Sequence, residues 1–211
     1  MKTVYFVRHG ESESNVGGIR RGHMTPLTKN GKQQADSVAA RASKLTIDVV
    51  VSSTMERAKK TAQAIVEKTG KSVEYSEFFI ERIMPSWFIG RLKDDPEAVA
   101  AENEMRENFT VPNYRLADEE NFDDLKKRAI SALEHLKERK EENILVVTHG
   151  FFLRAMLAVV IYGADLTAHE LDRILGGTRT ENTGISVIKE NSKWISGWNL
   201  IIFNDHAHLA D

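Results

Sequence analysis

Short apolar runs alternate along the chain with longer segments whose apolar residues recur at three- and four-residue steps. The run Lys2 to Val7 ends at Arg8-His9-Gly10 and predicts a buried first strand that stops at the glycine. Thr28 to Leu45 predicts an amphipathic helix, and Ile47 to Ser52 predicts a second buried strand. A further helical stripe follows and ends at Gly70. The N-terminal part is therefore predicted as strand, helix, strand, helix.

The middle of the chain is less regular. Val73 to Tyr75 predicts a short strand, whereas Phe78 to Gly90 contains Pro85 and is unusually apolar for a loop, which indicates a functional loop. Asp95-Pro96 places a capping residue before a proline at the first helical position and predicts a helix to about Asn108. An irregular polar stretch is expected to follow, up to about residue 120.

The C-terminal part returns to the alternation of strand and helix. The segment Phe122 to Leu136 predicts an amphipathic helix, and Ile144 to Val147 predicts a buried strand. Phe151 to Tyr162 is apolar nearly all round, as expected for a helix packed deep against a sheet. Gly184 to Lys189 and Trp194 to Phe203 predict closing strands that form a hairpin. This alternation predicts an α/β three-layer sandwich with a largely parallel central sheet flanked by helices.

Composition and charge narrow the function classes. The 211 residues contain 29 Lys and Arg against 31 Asp and Glu, a balance that argues against a dedicated nucleic-acid binder or a polybasic membrane anchor. The absence of cysteine excludes disulfides, thiol catalysis and Cys-ligated metal sites. No signal peptide or membrane-spanning run is recognisable, so a cytoplasmic location is expected. One domain covering residues 1–211, with an insertion, fits this length better than two domains.

Charged residues follow three predicted strands. Arg8 and His9 end the first strand, Arg57 lies in the first helical turn after the second, and His149 follows the strand Ile144 to Val147. Ligands of such sheets bind beyond the carboxyl ends of the strands. Arginine forks complement phosphoryl oxygens, and a neutral imidazole can attack phosphorus. Each residue alone could be an ordinary solvated polar side chain, but the convergence of all four on one edge of the sheet predicts phosphoryl transfer through phosphohistidine.

These residues stand in a spaced pattern that resembles the histidine phosphatase superfamily, also called the phosphoglycerate mutase-like family. The resemblance spans most of the chain and implies the phosphoglycerate mutase-like fold. The matching residues are Arg8-His9-Gly10-Glu11-Ser12, Asn15, Gly22, Pro26-Leu27-Thr28, Gly31, Gln34-Ala35, Ser52-Ser53, Arg57-Ala58, Thr61-Ala62, Glu81-Arg82, Trp87 to Gly90, Thr148-His149-Gly150, Asn182 and Trp198 to Leu209.

The resemblance implies a role for each central residue. His9 is similar to the family nucleophile, with Arg8 and Arg57 clamping the phosphoryl oxygens and His149 hydrogen-bonding the same group. Glu81 matches the family acid/base glutamate, although by itself it could be a surface carboxylate paired with its neighbouring arginine. Because cationic side chains supply the charge that a metal supplies elsewhere, neither a metal nor another cofactor is expected.

Four further residues are candidates for phosphate binding. Asn15, Ser12 and Gly150 belong to the pattern, and Arg21 could add positive charge near the mouth of the pocket. Turn, cap or solvated roles are the alternatives. At the C-terminal end, two histidines, His206 and His208, lack an evident third metal ligand, so solvated side chains are favoured there.

The sequence departs from the family pattern at Met24-Thr25 and at Met84-Pro85-Ser86, near the substrate-facing loops. Mutase members carry a longer, more basic insertion than Arg91 to Glu120 provides, which favours hydrolysis of a small phosphorylated metabolite over phosphoglycerate mutation. A cap at about residues 78–120 is expected to cover that substrate, with Phe79, Trp87, Phe88 and Phe109 packing the cap or facing the substrate. A mutase and a phosphate-ester-binding protein without turnover remain alternatives. The oligomeric state, monomer or homodimer, stays open.

Overall fold

A computed structural model of the protein describes residues 1–210, and its centre is a six-stranded sheet. The strand order is β3-β2-β4-β1-β5-β6, so the first strand of the chain lies inside the sheet. Parallel pairing joins β1 to β4, β4 to β2 and β2 to β3, whereas β5 and β6 are antiparallel. The strands are β1 (Thr3–Arg8), β2 (Val49–Ser52), β3 (Val73–Tyr75), β4 (Asn143–Thr148), β5 (Ile185–Glu190) and β6 (Trp198–Asp205). The prediction of a largely parallel sheet is confirmed.

Helices cover both faces of the sheet, because alternate residues of its buried strands are apolar on both sides. On one face, Val7, Val50 and Leu145 pack with residues of α2 and α3. On the other, Phe6 and Val146 pack with residues of α5 and α6. The helices are α1 (Glu13–Val16), α2 (Lys29–Ala42), α3 (Glu56–Thr69), α4 (Pro96–Glu107), α5 (Phe122–Glu138), α6 (Gly150–Tyr162) and α7 (Ala168–Gly177). The three-layer α/β sandwich is therefore confirmed.

No helix within residues 1–210 combines the length and apolarity that crossing a bilayer would need.

Two features of the C-terminal region differ from the sequence-based prediction. Helix α7 was not predicted, although Thr167 and Glu170 form a capping box at its start. The segment Trp194 to Gly197 is a turn and not part of the last strand, which begins at Trp198. Gly197 has a φ of +79°, a value that closes the turn, and the indole of Trp194 donates to the carbonyl of Val160 on α6. The predicted hairpin itself is confirmed.

The segment of residues 78–120 has a small apolar cluster of its own. Two 3₁₀ turns, Glu77–Phe79 and Ser86–Phe88, precede α4, whose N-cap Asp95 accepts from the amide of Ala98. The cluster joins Phe88 to α4. Phe79 is part of the main core and Phe109 packs edge-on against Phe122, so the role of core packing applies to both of these aromatics. A single domain over residues 1–211 with an insertion here stays a prediction.

A close backbone contact joins the segment after β1 to α2. A Cβ on Gly31 would lie 1.8 Å from the carbonyl oxygen of Glu11, and a Cβ on Gly10 would lie 2.4 Å from the carbonyl oxygen of Gly31. Real Cβ atoms do not approach backbone oxygen this closely, so a side chain at either position must push the two segments apart. These two glycines therefore fix the path of the chain immediately after His9.

We expect Gly31→Ala to lower the free energy of unfolding by about 2–3 kcal/mol because of this overpacking. Urea unfolding followed by circular dichroism measures the change. Gly176→Ala in α7 is the matched control, since nothing lies within 4 Å of its added methyl group and alanine favours a helix. Equal stability of Gly31→Ala and Gly176→Ala would show that the contact does not restrict the chain.

Candidate active site

Three neighbouring strands end at the same level and bring the predicted residues together. In the parallel register Arg8 is opposite Thr148, and Ser52 is opposite Val147. The chain therefore leaves β1, β4 and β2 side by side, with His9, His149 and the residue after Ser52 at one edge of the sheet. This edge is the carboxyl end of the strands, where ligands of open α/β sheets bind.

His9 is held by hydrogen bonds at both ring nitrogens and is only 2% exposed. Its Nδ1 lies 2.7 Å from the carbonyl oxygen of Gly10, which can only accept, so Nδ1 carries a proton. Nε of Arg57 donates to Nε2 of His9 at 3.1 Å, which is possible only if Nε2 has its lone pair. His9 is therefore neutral, with Nε2 as its basic and nucleophilic atom.

The surroundings of His9 keep it neutral. Burial, reinforced by the positive charges of Arg57 and Arg8, holds the pKa of His9 well below its ordinary value, and the hydrogen bond to the Gly10 carbonyl only partly opposes this. At neutral pH the imidazole thus has no proton on Nε2. A neutral imidazole is the form that can attack phosphorus.

His149 packs beside His9 and is fully buried. The two ring centroids are 5.0 Å apart, and Nε2 of His149 lies 2.8 Å from the hydroxyl oxygen of Ser53. Burial first, then the neighbouring His9 and the positive charges of the nearby arginines, lower the pKa of His149 well below its ordinary value. The site therefore contains two neutral imidazoles side by side.

Three buried polar atoms around these rings have no hydrogen-bond partner within residues 1–210. They are Nε of Arg8, Nη1 of Arg57 and Nδ1 of His149. Burial lowers the pKa of both guanidinium groups from their high ordinary value, although a guanidinium keeps its charge in proteins. Buried donors are normally paired, so this concentration of unmatched polar atoms marks a place that suits an anion with several oxygens.

Glu81 reaches the site from the loop before α4, and its carboxylate lies over the start of α6. Oε1 accepts from the amides of Phe152 at 2.9 Å and Arg82 at 3.0 Å, while Oε2 accepts from the amide of Phe151 at 3.3 Å. A helix N-terminus is a favourable position for a carboxylate. The alternative of a surface ion pair between Glu81 and Arg82 does not describe this geometry, because the carboxylate bonds to backbone amides.

A cavity of about 380 Å³ opens in front of these residues. Arg8, His9, Arg57 and Glu81 all line it, and the ring of His149 packs against that of His9. Apolar side chains form much of the remaining wall. The other lining residues are Ser14, Asn15, Arg20, Arg21, Gly22, His23, Met55, Arg82, Ile83, Met84, Pro85, Ser86, Phe88, Ile89, Glu102 and Asp118.

The further phosphate-binding candidates occupy different positions. Asn15 lines the cavity, and its Oδ1 accepts from both the amide and the hydroxyl of Ser12, which leaves its Nδ2 as a donor. Ser12 is fully buried and does not line the cavity. Arg21 lies at the cavity wall and pairs with Glu13 at 2.9 Å. Of Asn15, Ser12 and Arg21, the first is thus the best placed to contact a ligand.

Gly150 is the first residue of α6 and lies against Arg8. A Cβ there would be 3.1 Å from both Nε of Arg8 and Oγ1 of Thr180. Glycine therefore leaves room for the guanidinium to lie against the helix start, and Gly150 acts on the site through Arg8.

The structure also shows where the residues that depart from the family pattern lie. Met84-Pro85-Ser86 lines the cavity, with the amide of Ser86 donating to Asp118 at 2.9 Å. Met24 is exposed, and Thr25 is buried with its hydroxyl donating to the carbonyl of Gly22.

At the other end of the chain, His208 contacts the hydroxyl of Thr183 through Nε2. No group of three potential metal ligands was found among residues 1–210.

Three polar residues near His9 were assigned no role from the sequence. The amide of Asn182 donates to the carbonyl of His9 at 2.9 Å, and the hydroxyl of Thr61 accepts from the amide of Gly10 at 3.0 Å. Ser53 bonds His149 as described above. All three are among the residues that match the family pattern: Ser53 follows a predicted strand, Thr61 lies in the next predicted helix, and Asn182 precedes the predicted strand Gly184 to Lys189.

Comparisons with known proteins agree with this fold. The family model of the histidine phosphatase superfamily (branch 1) matches residues 4–200. The chain is 31% identical over 215 residues to a probable phosphoglycerate mutase, GpmB, of Shigella boydii, with 99% of this chain and 95% of the relative covered. Proteins with the same name in several strains of Escherichia coli match equally well, at 31% identity over the same share of both chains.

Solved structures share the fold over nearly the whole chain. Bacillus stearothermophilus YhfR superposes with a TM-score of 0.83 at 24% identity and covers 99% of this chain and 100% of its own. The alpha-ribazole phosphatase from Shigella flexneri gives a TM-score of 0.78 at 25% identity, with 96% of each chain covered. Because the family model spans nearly all of the sequence and the curated relatives exceed 30% identity, the chain belongs to the histidine phosphatase superfamily, branch 1.

Proposed function

We propose that the protein is a phosphatase that hydrolyses a small phosphomonoester through a covalent phosphohistidine on His9, without a metal ion. One observation carries the proposal: a neutral, buried imidazole keeps its lone pair on Nε2, in a site where the buried Arg8, Arg57 and His149 each have a polar atom without a partner within residues 1–210. A phosphoryl group bound there can be attacked at phosphorus by Nε2, and its oxygens can accept hydrogen bonds from these three residues.

In the first step Nε2 of His9 attacks phosphorus. The Nε2–P bond forms, the P–O bond to the alcohol breaks, and the carboxyl of Glu81 gives its proton to the leaving oxygen. Before the attack, Nε of Arg57, which donates to Nε2 in the resting enzyme, turns to a phosphoryl oxygen and frees the lone pair of Nε2. The Gly10 carbonyl accepts the hydrogen bond from Nδ1–H throughout and stabilises the positive charge that the ring gains on phosphorylation.

In the second step water replaces the histidine. The carboxylate of Glu81 takes a proton from water, the new O–P bond forms, and the Nε2–P bond breaks, which returns His9 to its neutral form and releases phosphate. One carboxyl group thus serves as acid and then as base. Ser53, by donating to Nε2 of His149, places the proton of that ring on Nδ1, which donates to the phosphoryl group in both steps.

Charge in the cavity favours hydrolysis over mutase chemistry. A phosphoglycerate mutase must also hold the second phosphate of a bisphosphate, which requires cations beyond the phosphoryl site. Three further arginines line this cavity. Arg20 pairs with Glu102 and Arg21 pairs with Glu13, so two of the three already have a carboxylate partner. The guanidinium of Arg82 donates to the carbonyl of Glu120 and lies over the rings of Phe109 and Phe151. The apolar wall, which includes Ile83 and Met84, suits an uncharged leaving group. The name of the Shigella and Escherichia relatives keeps the mutase as the second candidate.

We expect the purified protein, in the presence of EDTA, to release phosphate from aryl and alkyl phosphomonoesters faster than from phosphoglycerates. Phosphate release and interconversion of 2- and 3-phosphoglycerate are measured in parallel, with and without 2,3-bisphosphoglycerate. Interconversion that exceeds release would favour the mutase. Binding of phosphate esters without release or labelling would instead indicate a binding protein that lacks turnover.

A further inference from the structure

Outside the cavity, a buried ion pair joins α5 to the end of the cap segment. Arg128 of α5 and Glu120 are only 14% and 10% exposed in their side chains. Nε of Arg128 donates to Oε1 of Glu120 at 2.6 Å, and Nη2 donates to Oε2 at 2.7 Å. Such a bidentate contact fixes the orientation of both groups.

The pair also binds the backbone on both sides of Glu81. Nη1 of Arg128 donates to the carbonyls of Phe78 at 3.1 Å and Ile80 at 2.8 Å, and Nη2 lies 3.4 Å from the carbonyl of Glu81 itself. On the other side, Oε2 of Glu120 accepts from the amide of Ile83 at 2.9 Å. The buried ion pair therefore fixes the backbone of the loop from residue 78 to residue 83.

The same guanidinium reaches the group that holds the carboxylate of Glu81. Its central carbon lies 3.7 Å from the ring centroid of Phe152, a stacked cation–π contact. The amide of Phe152 is the donor to Oε1 of Glu81 at 2.9 Å. Arg128 thus contacts both the backbone that carries Glu81 and the residue that orients its carboxylate.

We propose that Arg128, together with Glu120, is a positioning residue that sets Glu81 at the correct place for proton transfer. The inference rests on the proposed role of Glu81 as acid and base. Glu81 lies in an irregular segment, so regular secondary structure does not fix it, and proton transfer needs heavy atoms within hydrogen-bond reach. A shift of about 1 Å in such a group can cost about 100-fold in rate.

The test compares leaving groups. Nitrophenolate leaves without a proton, whereas an alkoxide must be protonated, so loss of a correctly placed acid slows only the second kind of substrate in the phosphorylation step. For Arg128→Met and Glu120→Gln we expect single-turnover cleavage of an alkyl phosphate to fall about 30- to 100-fold, and release of nitrophenolate from p-nitrophenyl phosphate to change less than about threefold. Glu81→Gln should show the same pattern, and the double variant Glu81→Gln/Arg128→Met should lose no more than Glu81→Gln alone.

Arg139→Met is the matched control. Arg139 follows α5, and its side chain is 11% exposed. It makes a comparable bidentate contact with Glu74 on β3, away from the cavity. It is expected to lose stability without any dependence on the leaving group. Arg128→Lys keeps the charge but not the fork, and serves as a conservative variant alongside Glu120→Gln if Arg128→Met does not fold.

Equal losses for both kinds of substrate in the folded variants would overturn the positioning role and leave the pair as a stabilising contact. Failure of the proposed function has a different signature. If Glu81→Gln itself showed no dependence on the leaving group while the wild type turned over, the assignment of Glu81 as the acid would be wrong.

Discussion

Replacement of His9 by asparagine should abolish phosphatase activity, with kcat lower by about 10⁴-fold or more. The amide side chain of asparagine is close in size to an imidazole but has no lone pair that attacks phosphorus, so the covalent route is lost. The arginines and His149 remain, and the variant should still bind phosphate esters. Phosphate release measures the first effect, and equilibrium binding of a phosphate ester measures the second.

Covalent labelling makes this prediction sharper. Acid-sensitive, base-stable phosphorylation of the wild type, trapped during turnover and located by mass spectrometry, should lie on His9 and be absent from His9→Asn. The control is His169→Asn on α7, outside the cavity, which should keep full activity and labelling. Labelling of another residue, or substantial activity without His9, would contradict the phosphohistidine mechanism.

Much of the site could be predicted because its residues follow strongly patterned strands. Two buried apolar runs end at Arg8-His9 and at Thr148-His149, and parallel strands bring such ends together at one edge. Helix α7 is not evident in the sequence because it is short: its apolar stripe of Leu171, Ile174 and Leu175 spans little more than one turn before Gly176 and Gly177. The apolar residues at the start of Trp194 to Phe203 predict a strand there. The chain turns instead, and the indole of Trp194 donates to the carbonyl of Val160 on α6, a contact that no periodicity reveals.

Contacts between distant segments set the rest of the site. Ser12 stands close to Arg8 and His9 in sequence, yet its hydroxyl is turned inward to Asn15. Arg128 appears as an ordinary polar residue of an amphipathic helix, although it lies three residues after Leu125 and four before Ala132, within the apolar stripe. A charge in that position predicts a buried partner, but the partner Glu120 could be identified only from the folded chain.

The second large effect is expected for Arg57→Met. Arg57 donates to Nε2 of His9, and its Nη1 is one of the buried donors without a partner within residues 1–210. Methionine keeps much of the apolar volume but removes the charge and all of these hydrogen bonds. Removal of one donor that stabilises transition-state charge costs about 10²- to 10³-fold, so kcat/KM should fall by about that factor. The same charge lowers the pKa of His9, which gives Arg57→Met a second signature in the pH profile.

The direction of that signature follows from the protonation state of the nucleophile. In the proposed mechanism only neutral His9 attacks, so activity is expected to be lost as pH falls through the pKa of His9. In the wild type that pKa lies well below its ordinary value, chiefly because of burial and next because of Arg57. Without Arg57 the pKa rises, and the acidic limb of kcat/KM must move to higher pH, whereas Arg41→Met at the surface should leave it in place. Ionisation of the substrate is common to all variants, so an unmoved limb in Arg57→Met would show that a group other than His9 controls activity in acid.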